Sequence, residues 1–288
     1  IAREVNALGD SVLASDVSIF NMSYGGSTFS ITPSDIYLEN LAHSAVRAQL
    51  ASGATTLRGG KGALYVNSSG NDYYNGDSGT GLLSYCGDGV NASTYKVGCY
   101  DAVFDRVFVE RYIIGVGALD ADNVKTKYST PGASLWVSAF GGDLGVNSSY
   151  GTTDYRYSTV EIPYKPAILT TDRSSCTKGS NGSSGVRYNA LNDYVNPHAS
   201  NPDCNYTNVM NGTSSAAPMV SGVIALMLEA NADLNWREVK HILATEAVQV
   251  DASFSASAIH GIDYVGWVTN AAEFEFHPWY GFGAVDAT

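Results

Sequence analysis

The segment NGTSSAAPMVSGVIALMLEAN, residues 211–231, sets two adjacent serines at the mouth of an apolar stretch with helical character. Gly212 permits a turn that an L-residue resists, so the chain can break sharply there into a helix. Pro218 is tolerated only near a helix's first turn, which puts the start at about Ser214. Small residues at Ala216 and Ala217 let a neighbouring segment approach closely. A serine at this point sits over N–H groups that lack intrahelical acceptors, at the positive end of the helix dipole. Its oxygen is suited to attack on a centre that develops negative charge. The competing use is a helix cap and nothing more, and for Gly-Thr-Ser in isolation the cap is the simpler reading.

Such a serine must be held by a scaffold, and the rest of the chain has the pattern of one. Short β-branched runs recur: DVSIFNMS, GALYVNSSG, YIIGVGALD, SLWVSAF and PAILTTD. Most are continuously apolar, as expected of central strands covered on both faces. Between the first two, SDIYLENLAHSAVRAQLASG carries Ile36, Leu38, Leu41, Val46 and Leu50 at helical spacing, with Ser34 as N-cap and Gly53 as C-cap. Strand, helix and strand in that order predict a βαβ unit in a parallel sheet. The stretch after Ser214 is apolar almost all round and is expected to run through the core. LNWREVKHILATEA follows, with Asn235 and Glu238 spaced for a capping box. Residues of about 72–105 and 142–210 read as long Gly/Ser/Asn/Tyr-rich loops, which in a compact domain are functional surfaces or disordered. No repeat and no linker divides the chain, so one α/β domain is expected.

Composition narrows the function classes. Of 288 residues 44% are hydrophobic, enough for a sizeable core, and the net charge is −12. No Lys/Arg cluster offers a phosphate-binding patch, which argues against nucleic acid. No apolar run reaches a membrane span, the longest being broken by Ser221 and Gly222, so no membrane partner is expected. The opening IAREVNALGD has no basic leader region and reads as already inside a domain. Four cysteines lie in loops without zinc-site spacing; two local disulfides, Cys86–Cys99 and Cys176–Cys204, are expected, and with them an oxidising compartment. Seven Asn-x-Ser/Thr sequons occur, among them Asn21, Asn67 and Asn211 inside the motifs discussed below. A glycan there would block a site or the core, so they read as fortuitous, in keeping with a bacterial secreted source.

Read whole, NGTSSAAPMVSGVIALMLEANADLNWREVK closely resembles the nucleophile motif and following helices of the subtilisin-like serine proteases, especially the kexin-type branch and its bacterial secreted relatives. That motif is G-T-S-x-A-x-P, so the resemblance makes Ser214 the nucleophile and Ser215 the variable position. FNMSYGG, residues 20–26, resembles the family's substrate-pairing edge strand, with Ser23, Tyr24 and Gly25 bonding an extended peptide. YVNSSGND, residues 65–72, resembles the segment that carries the oxyanion asparagine. It implies backbone contacts from Ser68, Ser69 and Gly70, and oxyanion donation from Asn71 together with the Ser214 N–H. YIIGVGALD, KYSTPGASLWVSAFGG and the terminal HPWYGFGAVDA match more loosely. The implied architecture is a subtilisin-like three-layer α/β fold with a mostly parallel central sheet. The implied activity is hydrolysis of peptide or protein substrates through an acyl-enzyme, without a cofactor in the chemistry, in a secreted protein.

The family mechanism also needs a histidine base and an aspartate to orient it. Both motifs lie upstream of the substrate-pairing strand in the family, yet only 19 residues precede FNMS here and neither occurs in them. Asp10 is followed by Ser11 and Val12 rather than the Gly the turn requires. Of five histidines, His43 and His241 fall on predicted helices, while His260 and His277 lie beyond the nucleophile in loops. Only His198, in a loop before the nucleophile, is retained as a remote substitute. The expectation is that residues 1–288 are the C-terminal portion of a catalytic domain, weak alone, whose Asp- and His-bearing portion is a separate chain or lies elsewhere. A peptide-binding module that does not cut is the alternative; it is favoured by the absent His and Asp and opposed by retention of Ser214 and Asn71. Asp105 falls where kexin-type enzymes carry a primary-pocket aspartate, but Arg106 replaces the flanking Gly and STFSITPSD supplies no second acid, leaving selection for a basic residue open. Oxygen donors for a structural calcium ion exist among Asp72, Asp77, Asp88 and Asp101, although Thr130 stands where the family has a ligating Glu.

Overall fold

The computed structural model describes residues 2–11, 14–25, 44–73, 101–126, 128–143, 165–179, 191, 198–254, 258–259, 262–263 and 266–288. Its centre is a four-stranded parallel sheet of β1 (Ile19–Met22), β2 (Leu64–Ser68), β3 (Ile113–Leu119) and β4 (Leu135–Phe140), in the order β1-β2-β3-β4. Every residue of β2 and β3 is buried, as the unbroken apolar runs predict for strands covered on both sides. Phe20 pairs with Tyr65 and Asn21 with Val66, which fixes the β1–β2 register.

That register also fixes the layers. Phe20 stacks on Tyr65, and the Tyr65 hydroxyl donates to Leu8 O at 2.9 Å, just after the short helix α1 (Ala2–Val5) and on the side covered by α2 (Ser44–Thr56). Side chains alternate along a strand, so Asn21 points the other way. There it accepts a hydrogen bond from Ser221 of α3 (Thr213–Ala230), which lies across all four strands. Helices thus cover both faces of the sheet in three layers. α2 runs past Gly53 rather than capping there: a Cβ at Gly53 would come within 1.8 Å of the Tyr65 hydroxyl, so this glycine serves close helix–strand approach. Ser34 lies outside the described residues.

Two other expectations need correction. PAILTTD forms β5 (Ile168–Thr171), but β5 pairs antiparallel with β6 (Tyr206–Met210) in a separate two-stranded sheet, and Leu169 and Tyr206 are exposed. α3 does not bury its whole circumference. Ala216, Ala217, Val220 and Ile224 are fully buried against the sheet, whereas Leu226 is 56% exposed. A single sheet supports one face of a helix, whatever the sequence on the other. By length and mean hydropathy alone this 18-residue helix would suffice to cross a membrane, but its inner face packs on the sheet.

α4 (Trp236–Thr245) starts at the expected capping box: Asn235 Oδ1 accepts from Arg237 N and Glu238 N, and Glu238 accepts from Asn235 N at 2.8 Å. The final segment runs beside β4, with Ser138 N donating to Gly283 O and Val285 N to Ser138 O, both at 2.8 Å. Cys176 and Cys204 are disulfide-bonded, tying the connection that leads into β6. Cys86 and Cys99 lie outside the described residues.

Candidate active site

The segments that leave β1 and β2 converge on the first turn of α3. Gly212, at φ +120°, makes the turn from β6 into α3. Its N–H is held by Gly141 O at 3.0 Å and by the Tyr128 hydroxyl at 2.9 Å. Thr213 then ties the turn to the end of β2. The Thr213 N–H donates to Asn71 Oδ1 at 2.9 Å, its hydroxyl donates to the same oxygen at 3.0 Å, and Gly70 N donates to that hydroxyl at 3.1 Å. Two donors on Oδ1 settle the amide's orientation and leave Nδ2 as the end available to another group. Ser214 follows as the second residue of α3, where helix geometry supplies no acceptor for its N–H.

Ser214 Oγ donates to Ser23 O at 3.2 Å, so the hydroxyl rests against the end of β1. Around it lies a cavity of about 280 Å³. Ser23, Tyr24 and Gly25, which follow β1, line it together with Ser68, Ser69, Gly70 and Asn71 from the end of β2, and Ser214 and Asp105 face the same space. All nine residues singled out in the sequence therefore come together, although 191 positions separate Ser23 from Ser214.

Asp105 is anchored by the N–H groups of Val107 and Phe108, at 2.9 and 3.2 Å, both to Oδ1. Its Oδ2 lies 2.5 Å from where a Cβ on Gly25 would sit, so only glycine permits this approach. Asp72 and Asp101 also line the cavity. Asp101 Oδ1 accepts from Val103 N, yet burial outweighs that bond and raises its pKa. The Tyr24 hydroxyl is pushed up by burial first, then by Glu4 and Asp105. Three carboxylates and no basic side chain stand among the described lining residues.

The sequence reading missed Thr213 and placed Asp72 and Asp101 only as calcium donors. Among the described residues no group of three acidic, His or Cys side chains is placed to hold a metal ion. Thr130 Oγ1 instead accepts from Asp72 N at 3.0 Å; Asp77 and Asp88 lie outside the described residues. Among the described residues no histidine lines the cavity. His198 accepts from Ser200 N in an exposed loop, His241 packs on Phe274 from α4, and His277 is fully buried among aromatic rings. None of these three lines the cavity; His43 and His260 are outside the described residues.

The model of the subtilase family matches residues 2–283. The chain belongs to the subtilase family. An Aeromonas sobria extracellular serine protease is 33% identical over 97% of this subtilase, which spans only 41% of that protein. Proprotein convertase subtilisin/kexin type 5 of Homo sapiens is 35% identical over 53% of the chain and is covered to 8% of its own length. The crystal structure of the Aeromonas sobria serine protease with its chaperone superposes with a TM-score of 0.72 at 29% identity, over 98% of this chain and 44% of that one. A lanthipeptide protease shares the fold at TM-score 0.51 and 19% identity. The three-layer arrangement with its parallel central sheet is thus the subtilisin-like fold.

Proposed function

We propose that this subtilase is the nucleophile-bearing part of a secreted serine endopeptidase. Ser214 Oγ attacks the scissile carbonyl as its proton passes to the general base. The C–N bond then breaks, that proton leaves with the amine, and water hydrolyses the resulting acyl-enzyme to the carboxylic acid and free serine. The observation that carries the reading is the pinning of Asn71 Oδ1 by both donors of Thr213, which commits Nδ2 to donation beside Ser214. A peptide-binding surface alone has no physical need for a preset amide donor and a helix-start N–H at one point. Together they suit the oxyanion of a tetrahedral intermediate. The backbone of residues 23–25 and 68–70 holds the extended substrate on either side of the cavity.

The acidic cavity supports preference for a substrate with a basic side chain before the cleaved bond. Asp105 is the chief partner, with Asp101 and Asp72 adding to the field, since charge-assisted bonds to a guanidinium strengthen as water leaves. The matches to kexin-type convertases point the same way. The general base and its orienting acid come from a separate segment of the catalytic domain, because no described histidine reaches the cavity. Alone, the 288 residues retain the oxyanion and binding terms and little else of the acceleration.

The test is a fluorophosphonate probe applied to the chain alone and to the chain complemented by an Asp- and His-bearing segment, with the label located by peptide mass analysis. Labelling of Ser214 in the complete assembly, lost in Ser214→Ala, is expected. An assembly that never labels at Ser214 would sink the protease reading.

A further inference from the structure

In an α-helix the carbonyl of Ser214 accepts from the N–H of residue 218. Residue 218 is proline and has no N–H, so that acceptor is orphaned within the turn that carries the reactive hydroxyl. The Ser23 hydroxyl fills the gap, donating to Ser214 O at 2.9 Å. A serine hydroxyl has one proton, and here it is committed. Its oxygen in turn accepts from Asn21 Nδ2 at 2.9 Å, which fixes the direction of the bond. Asn21 Oδ1 lies 3.1 Å from the Ser221 hydroxyl, whose proton is divided between it and Ala217 O, also at 3.1 Å. The return contact, Ser214 Oγ to Ser23 O, closes a reciprocal pair between the end of β1 and the start of α3.

We infer that Asn21, Ser23 and Ser221 are positioning residues for Ser214, replacing the backbone hydrogen bond that Pro218 cannot make. The inference rests on the reading of Ser214 as nucleophile for its consequence, though not for its geometry. Substrate pairing uses only the backbone of residues 23–25 and leaves the Ser23 hydroxyl unexplained. Ser221, about two turns beyond Ser214 on α3, is the far end of the same chain of bonds, where Asn21 is already exposed. Small displacement of a nucleophile from its attack geometry has a large effect on rate. A turn with an unmet carbonyl, free to tilt toward water, would suffer that displacement. A proline at this position is thereby made compatible with a fixed serine.

Ser23→Ala in the complemented assembly is expected to lower the limiting rate of fluorophosphonate labelling about tenfold, with half-saturation by the probe unchanged, as befits one orphaned carbonyl. Ser23→Thr, which keeps the hydroxyl, is expected to stay within about twofold. In a Pro218→Ala background, where the residue-218 N–H again reaches Ser214 O, adding Ser23→Ala is expected to change the rate by less than about threefold. The urea midpoint of the 288-residue chain gives a second readout independent of reactivity, with a Ser23→Ala shift that shrinks when Pro218→Ala is present. Equal losses in both backgrounds, by rate and by midpoint, would overturn the inference. If no form labels at all, the protease reading fails, and the unfolding cycle alone decides the network.

Discussion

His277 gives the folded state a pH dependence whose size and sign follow from its surroundings. The side chain is fully buried, with its ring against Phe254, Trp267, Trp279 and Tyr280. Nδ1 accepts from Trp279 N at 3.0 Å, so the neutral ring carries its proton on Nε2, which has no partner among the described residues. Protonating Nδ1 would break that bond and bury a charge among rings, and burial lowers the pKa from 6.5 to about 4. Because the folded value lies below the unfolded one, the unfolded chain binds more protons in this interval. The stabilisation is complete above about pH 6.5 and lost progressively as pH falls toward 4, amounting to about 3 kcal/mol. Urea unfolding of the wild-type chain and of His277→Asn, from pH 4 to 7.5, isolates the effect. Asparagine Oδ1 can accept the same backbone N–H without titrating, so carboxylates contribute equally to both proteins. Wild type is expected to lose about 3 kcal/mol more than the variant across the interval. Equal slopes in the two proteins would refute the assignment of a depressed His277.

Three further outcomes are expected. Asn71→Ala should reduce labelling of Ser214 in the complemented assembly by about 10²–10³-fold with little change in probe saturation, read by labelling kinetics; an effect on saturation alone would make Asn71 a binding residue. Asp105→Asn should lower the ratio of cleavage after arginine to cleavage after leucine by about tenfold or more, measured with paired peptide substrates; an unchanged ratio would remove Asp105 from specificity. Lys125 is buried, with its ammonium over the Tyr73 ring at 3.5 Å and donating to Thr126 O at 2.9 Å, and burial holds its pKa well below the usual lysine range. Lys125→Met should therefore raise stability at pH 7 by on the order of 1 kcal/mol in urea titrations. It should also abolish the rise in stability toward pH 10 that a depressed lysine produces.

Much of the scaffold is legible in local pattern because its causes are local. Unbroken apolar runs in β2 and β3 mark strands with two covered faces, and Asn235 with Glu238 builds a helix start from residues three apart. PAILTTD misleads for the same reason: its composition specifies extended chain, while the choice between the central sheet and a separate pair with β6 is made by partners almost 40 residues away. α3 misleads differently, since apolar side chains state what burial would favour and the sheet decides which face receives it.

The site divides along the same line. By itself the sequence determined which chemical groups are present: a serine at a helix start, an asparagine after glycine, an aspartate before β3, and a proline four residues after the serine. These follow from turn and capping chemistry within a few residues, together with the family's motif order. Only the tertiary structure decided how the groups are used. Parallel strands ending on one edge bring residue 71 to residue 213 and residue 23 to residue 214. That meeting turns the Asn71 amide so that nitrogen is left to donate, moves Asp101 and Asp72 to the cavity wall, and gives the Ser23 hydroxyl the carbonyl that Pro218 leaves unpaired. Hydrogen-bond direction depends on which donor arrives from across the sheet, and sequence periodicity carries no information about that arrival.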